Sequence, residues 1–223
     1  MKLRIFRAAL LGMGAAMLVS GSPQEFTAAV YDYAGASKPV IEHAVEAARM
    51  AFITAGVESH WRVCEPEGCV QPPPAKGLYL QFFLMPRMRT PVSDVVAGHP
   101  AGFAIVNVST NRPRGYAFYD AVNEVADSTS RPLYAVLACV LVHESGHLLG
   151  LKHQPHGIMR PGLDRYAMDS ALSGRAFTPK EQNLLRAALS GDGGHVVASS
   201  HRRPTLPGAS RTALAAAVPA PVR

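Results

Sequence analysis

The sequence predicts an α+β domain, in which helices pack against a β-sheet. An amphipathic helix pattern over residues 38–55 is followed by two strand patterns, at 57–64 and 77–85, and a long apolar helix pattern occupies 133–149. Helix followed by strands indicates a layered packing of the two kinds of element. The 223 residues, 48% of them hydrophobic and 17% charged, are typical of a globular chain with one sizeable core.

The two ends of the chain are predicted to lie outside this domain. Lys2, Arg4 and Arg7 precede an apolar run at 8–19 and a group of small residues, which is the pattern of a secretory signal peptide over residues 1–21. The alternative is an uncleaved membrane anchor, for which the run is short. Residues 22–192 then form the folded domain, and 193–223, rich in Gly, Ser, Pro and Ala, form a flexible tail.

The net charge of +6 does not indicate a nucleic-acid or membrane-binding surface. Three basic residues belong to the predicted leader and four to the segment after Asp192. Residues 23–192 therefore hold 15 basic and 16 acidic residues, so the folded part is nearly neutral. We expect no nucleic-acid partner and no stable membrane insertion once the leader is removed.

The first half of the domain reads as one helix and four strands. Residues 23–36 show no clear periodicity and are interpreted as a lead into the fold. Ser37 is predicted to cap the 38–55 helix and Gly56 to end it. The apolar run at 77–85 predicts a central strand buried on both faces, and further strands are expected at 102–108 and 115–119.

The second half reads as helices. A short helix is expected at 120–126, and the 133–149 pattern is hydrophobic nearly all round, which predicts a buried helix. Residues 160–176 have no assignable pattern. Thr178 followed by Pro179 and Glu181 forms a capping-box signature that opens a helix ending near 189, with Leu184, Leu185 and Leu189 expected to pack on the domain.

The cysteines predict one disulfide. Cys64 and Cys69 are separated by a Glu-Pro-Glu-Gly turn, and in an exported chain they are expected to pair. The alternative, half of a metal knuckle, lacks a second half. Cys139 is left over, and it is interpreted as a small buried hydrophobe, with thiolate ligation of a metal as the alternative.

The buried helix also carries the residues of a metal site. His143 and His147 are four apart and project from the same helix face, where both imidazoles can reach one ion at about 2.0–2.1 Å. Glu144 can take a proton from a water molecule at the metal without serving as a ligand. Gly150 can adopt the left-handed conformation that ends a helix, which returns His153 toward the metal. Three nitrogens and one open position indicate a catalytic zinc site.

Two histidines are candidates for the third ligand. His153 and His156 both follow the glycine turn. His153 is favoured, and His156 is interpreted as a group outside the ligand set or as an exposed side chain.

The string from His143 to His153 resembles the zinc-binding consensus H-E-x-x-H-x-x-G-x-x-H of the metzincin metallopeptidases, and Met159 lies where that clan has its Met-turn. The segment at 158–161 resembles the matrixin version of the turn. Residues 38–189 are also similar to small exported bacterial proteins of unassigned activity. The resemblance implies a zincin-like twisted mixed sheet with a backing helix, an active-site helix and a small C-terminal subdomain after Gly150.

By this resemblance the three histidines are zinc ligands, Glu144 is the general base and Met159 is a hydrophobic floor beneath the ion. In zinc peptidases a strand beside the active-site helix often pairs with an extended substrate, and either 102–108 or 115–119 is expected to do so. The implied function is a secreted or periplasmic zinc endopeptidase, acting as a monomer on peptide or protein substrates. The alternative is a zinc-bound structural or interaction module with weak or no catalysis.

Overall fold

The computed structural model describes residues 24–70, 77–87, 101–107 and 112–190. The predicted leader, the predicted tail and most of the stretch between the third and fourth strands lie outside these residues. The strands are β1 (Glu25–Asp32), β2 (Glu58–Cys64), β3 (Leu78–Met85), β4 (Gly102–Asn107) and β5 (Arg112–Phe118). The helices are α1 (Lys38–Thr54), α2 (Tyr119–Thr129), α3 (Leu133–Leu148), α4 (Arg165–Ser170) and α5 (Pro179–Leu189).

The strands form one mixed sheet in the order β2-β1-β3-β5-β4. The first four of these pair in parallel, and β4 is antiparallel to β5 and occupies an edge. The predicted α+β class is therefore confirmed, with β3 in the central position expected for it. Of the two strands expected as the cleft edge, β4 is the one with a side that no other described strand pairs with, and this side is called the open edge below.

Helices α1 and α3 pack side by side on one face of this sheet. Phe52 of α1 meets Phe26 of β1 edge to face, with ring centroids 4.9 Å apart. Val140 of α3 lies against the start of β4 at Gly102. The core lies between the two layers, and α3 is buried along almost its whole length, as its apolar sequence predicts.

None of the described helices packs on the opposite face of the sheet, which presents a row of aromatic side chains. One ring from each of four adjacent strands joins a row in which neighbouring centroids are 5.4, 5.3 and 4.6 Å apart: Tyr31, Phe83, Tyr116 and Phe103. The prediction that β3 is buried on both faces is consequently wrong. Leu80, Phe82 and Leu84 are fully buried on the helix side, whereas the alternate residues of β3 are half-buried.

Strand β1 lies within residues 23–36, which lack clear periodicity and for which the sequence predicts only a lead into the fold. Five consecutive residues of β1, from Phe26 to Val30, are buried, so the strand lacks the alternation that marks a half-exposed strand. It pairs with β2 on one side and β3 on the other. This places it inside the sheet rather than before it.

Other local predictions need correction. Ser37 precedes α1, but its side chain makes no capping hydrogen bond. The helix expected at 120–126 extends over Tyr119–Thr129, and the unassigned stretch 160–176 contains α4 and a wide helical turn at Ala171–Arg175. Leu185 is fully buried as expected, but Leu184 is 48% exposed, because α5 presents only one face to the domain.

Two further predictions are confirmed. Cys64 and Cys69 form a disulfide at the end of β2. The capping box at the start of α5 is complete, with Thr178 and Glu181 each accepting a hydrogen bond from the backbone N–H of the other. Within the part of the chain described here, no helix has the length and apolarity needed to cross a membrane.

Candidate metal centre

The end of α3 sets the positions of the candidate ligands. Gly150 has φ of 88°, Gly150 N–H donates to His147 O at 3.0 Å, and Leu151 N–H donates to Gly146 O at 2.8 Å. This pair of hydrogen bonds is the Schellman motif that ends helices at a left-handed glycine. The predicted turn at Gly150 is confirmed, and it brings the segment with His153 back beside the helix.

The structure brings the three predicted ligands together. His147 Nε2 lies 3.0 Å from His143 Nε2 and 3.1 Å from His153 Nε2. Three imidazole nitrogens bound to one ion at about 2.0–2.1 Å in tetrahedral geometry would lie about 3.3 Å from one another. The observed separations are therefore close to those of a metal-binding set, and these side chains can hold an ion between them.

The contacts of the Nδ1 atoms show which nitrogen of each imidazole can bind a metal. His143 Nδ1 lies 2.7 Å from Ile158 O, and His147 Nδ1 lies 2.9 Å from Leu151 O. Since a carbonyl oxygen only accepts, Nδ1 must carry the proton in both rings, and in the neutral imidazole Nε2 then carries a lone pair. Two such lone pairs facing each other at 3.0 Å repel unless a cation lies between them. The donor set fits a metal of the zinc type.

Two alternatives considered from the sequence are not part of this group. His156 is exposed and does not belong to the cluster of nitrogens formed by His143, His147 and His153. Cys139 is 1% exposed and belongs to the hydrophobic core, and burial raises the pKa of its thiol to about 12. A thiol held neutral in this way is a small apolar side chain rather than a thiolate ligand.

Met159 packs directly beneath the helix turn that carries two of the histidines. Its side chain is fully buried, and a Cβ atom at Gly146 would lie 2.5 Å from Met159 Sδ. Gly146 is therefore the residue of the motif that lets the methionine approach the helix backbone. Gln154 N–H donates to Met159 O at 2.8 Å, which links this turn to the segment that carries His153.

Glu144 points its carboxylate toward the start of β4. A Cβ atom at Gly102 would lie 3.1 Å from Glu144 Oε1 and 2.7 Å from Tyr116 O. Glu144 is 5% exposed, and its Oε2 atom is buried with no hydrogen-bond partner in the described ranges. A buried carboxylate oxygen without such a partner carries a large desolvation cost, so its retention in the core suggests a role other than stabilising the fold.

Burial also shifts the pKa values of two side chains at the site, His143 and Glu144. It lowers the pKa of His143 to about 4, so that this imidazole is neutral and able to bind a metal at neutral pH. It raises the pKa of the Glu144 carboxyl to about 8, because the charged form loses its hydration. A cation held by the neighbouring histidines would oppose that second shift by favouring the carboxylate.

Sequence reasoning missed the two glycines at this site. Gly102 and Gly146 are required by the approach of a side chain from another part of the chain, and neither has the positive φ that marks a turn glycine. Gly146 occupies a variable position of the histidine motif, inside a helix. A glycine there costs helix stability relative to alanine and could have been taken as a sign of close packing.

Comparisons with known proteins find likeness only at the level of solved structures. No protein-family model and no curated protein matches the chain. Archaemetzincin from Methanopyrus kandleri matches with a TM-score of 0.48 and 13% identity over 78% of this chain and 100% of its own. A zinc-dependent peptidase from Methanocorpusculum labreanum matches with a TM-score of 0.40 and 13% identity over 71% and 99%. Both scores are below 0.5, so the function of this chain has to rest on its own residues.

Proposed function

We propose that this protein is a zinc-dependent endopeptidase, with His143, His147 and His153 as zinc ligands and Glu144 as general base. The observation that carries the proposal is the convergence of the three Nε2 atoms, with separations of 3.0 and 3.1 Å, beside a helix that also holds the buried carboxylate of Glu144. Met159 provides an apolar floor beneath this centre.

Zinc held by His143, His147 and His153 would supply Lewis acidity for a peptide carbonyl group and would lower the pKa of a water molecule toward neutrality. The remaining chemistry belongs to the chain. The Glu144 carboxylate accepts the proton of the attacking water and returns it to the leaving amine, as a general base and then a general acid. The Nδ1 atoms of His143 and His147 donate hydrogen bonds to backbone carbonyl oxygens. These bonds fix the orientation of each ring and therefore the direction in which its Nε2 lone pair points.

Strand β4 is the element best placed to hold an extended peptide. Because Ala101 O accepts a hydrogen bond from Phe118 N–H, the backbone groups of Gly102 and Ala104 point away from β5 toward the open edge. Gly102 also lies beside the Glu144 carboxylate. A substrate strand added at this edge would run past the general base.

We further propose that the enzyme acts outside the cytoplasm, in the periplasm or as a secreted protein. The support is the basic and apolar pattern of residues 1–21. Protein recovered from outside the cytoplasm should begin close to Ser22 when its amino terminus is sequenced, whereas a chain that begins at Met1 would show that the leader is retained.

The catalytic role is tested by Glu144→Ala. We expect this variant to keep one zinc per chain and to lose about 10²–10⁴-fold in kcat on an unfolded protein such as casein, since general-base catalysis contributes about that much. The matched control is Glu46→Ala, an exposed glutamate on α1, which should cleave at the wild-type rate. Wild-type turnover by Glu144→Ala would contradict the assigned role of the carboxylate.

The alternative function, a zinc-bound module without efficient catalysis, uses the same ligands. Glu144 Oε2 is buried and has no hydrogen-bond partner among the described residues, which favours the enzyme because a structural zinc site does not require such a group. A wild-type chain that binds one zinc but cleaves no member of a peptide library would establish the alternative instead.

A further inference from the structure

Glu181, at the start of α5, is a buried carboxylate that the proposed reaction does not use. Its Oε2 atom accepts a hydrogen bond from Thr178 N–H at 2.6 Å, and Glu181 N–H donates to Thr178 Oγ1 at 3.3 Å. Its side chain is only 2% exposed, and glutamate is almost never buried to that degree unless it is paired. Oε1 is also buried and has no hydrogen-bond partner in the part of the chain that the structure describes.

The turn that carries Met159 covers this capping box. A Cβ atom at Gly157 would lie 3.2 Å from Ala176 O, 3.8 Å from Glu181 Oε2 and 3.9 Å from Thr178 Cγ2. Gly157 has φ of 75°, a left-handed conformation that favours glycine. The next residue, Ile158, donates its N–H to Ala176 O at 3.1 Å. The cap of α5 and the segment before it therefore form the surface on which the turn rests.

The same turn orients the first candidate ligand. Ile158 O accepts the hydrogen bond from His143 Nδ1 at 2.7 Å. Glu181 is thus hydrogen-bonded to Thr178, and the backbone leads from Thr178 through Phe177 to Ala176. Ala176 O is hydrogen-bonded to Ile158, whose carbonyl oxygen contacts the His143 ring. A direct hydrogen-bond partner of a ligand typically affects metal affinity by about 10–100-fold, and a residue that holds this partner in place has a smaller effect.

We propose that Glu181 is a positioning residue of the metal centre. Its carboxylate holds the start of α5 against the Gly157 turn, and the turn holds the Ile158 carbonyl oxygen that sets the orientation of His143. The inference rests on the proposed metal centre, but it concerns metal binding and does not depend on which bond is cleaved.

The test compares three full-length chains: wild type, Glu181→Ala and Glu181→Gln. Zinc affinity is measured by competition with a chromophoric chelator, and the visible absorption of the cobalt-substituted protein reports the ligand geometry. We expect Glu181→Ala to bind zinc about 10-fold more weakly, at the lower end of the range for a direct partner of a ligand, and to change the cobalt spectrum. Glu181→Gln should restore both properties to nearly wild type, because glutamine also completes a capping box.

The control removes a different anchor of the same helix. Arg186 Nη1 donates to Ala55 O at 2.7 Å and ties α5 to the end of α1, away from the Gly157 turn. Arg186→Ala should lower the midpoint of thermal unfolding while leaving zinc affinity and the cobalt spectrum unchanged. If Arg186→Ala weakens zinc binding as much as Glu181→Ala does, the effect is one of general stability and the positioning role is wrong.

The outcomes separate this inference from the proposed function. A wild-type chain that binds no zinc would overturn both, whereas zinc binding that Glu181→Ala leaves unchanged would overturn the positioning role alone. Should Glu181→Ala not fold, Glu181→Asp provides the comparison, because it keeps a carboxyl group but withdraws it from Thr178 N–H. That variant should also bind zinc more weakly than wild type, and wild-type affinity would contradict the inference.

Discussion

At the scale of single residues, two of the three candidate ligands are oriented by backbone carbonyl oxygens. The spacing of His143, His147 and His153 follows from helix geometry and one turn, both of which are local. The carbonyl oxygens of Leu151 and Ile158, which accept from the Nδ1 atoms of two of these rings, carry no residue-type signal. Backbone acceptors can be any residue, so only the folded chain identifies them.

His153 and His156 provide the sharpest comparison at this scale. His153→Ala removes one of the three converging nitrogens. Loss of a hydrogen-bond partner of a ligand typically weakens metal binding about 10–100-fold, and loss of the ligand itself should weaken zinc binding more than that. His156→Ala should bind zinc as wild type does, since that side chain is exposed and outside the cluster. Isothermal titration of zinc into the two metal-free variants measures both affinities. The reverse order would mean that His156 is the third ligand.

At the scale of elements, the sequence predicted those whose pattern is decided locally. The apolar run of α3, the left-handed glycine after it and the capping box of α5 are each determined within a few residues. The sequence does not predict β1, because side chains on both faces of this strand are buried and its residues therefore do not alternate between apolar and polar. This burial depends on segments distant in sequence. The open edge at β4 likewise depends on strand order, which no single segment encodes.

The proposed role of β4 leads to a prediction for Ala104, whose backbone N–H points to the open edge. Ala104→Pro removes this donor without removing a hydrogen bond to β5, and proline is tolerated at such edge positions. We expect KM for an extended peptide to rise about 3- to 10-fold with little change in kcat, since one backbone hydrogen bond contributes about 0.5–1.5 kcal/mol.

Ala104→Val is the matched control, because it adds comparable bulk and keeps the N–H. If Ala104→Val raises KM as much as Ala104→Pro, the effect is steric, and substrate pairing at this edge is not supported.

At the scale of the whole molecule, the candidate centre joins the two parts of the domain. His143 and His147 belong to α3, which packs against the sheet and α1, whereas His153 and Met159 belong to the segment that leads to α4 and α5. That second part is held to the first by the contact of Phe177 with Phe52, with ring centroids 5.2 Å apart, and by the hydrogen bond from Arg186 to Ala55 O. A metal ion at the junction would add a further connection beside the hydrogen bond from His143 Nδ1 to Ile158 O.

The measurement that tests the central claim most directly is hydrolysis of an unfolded protein by the chain before and after metal removal. The purified protein should contain one zinc, lose cleavage when a chelator removes it, and regain cleavage when one equivalent of zinc is returned. His143→Ala, treated in the same way, should show no cleavage at any stage. Cleavage that survives complete removal of the metal, or that stays absent in a chain shown to hold one zinc, would contradict the proposal of a zinc endopeptidase.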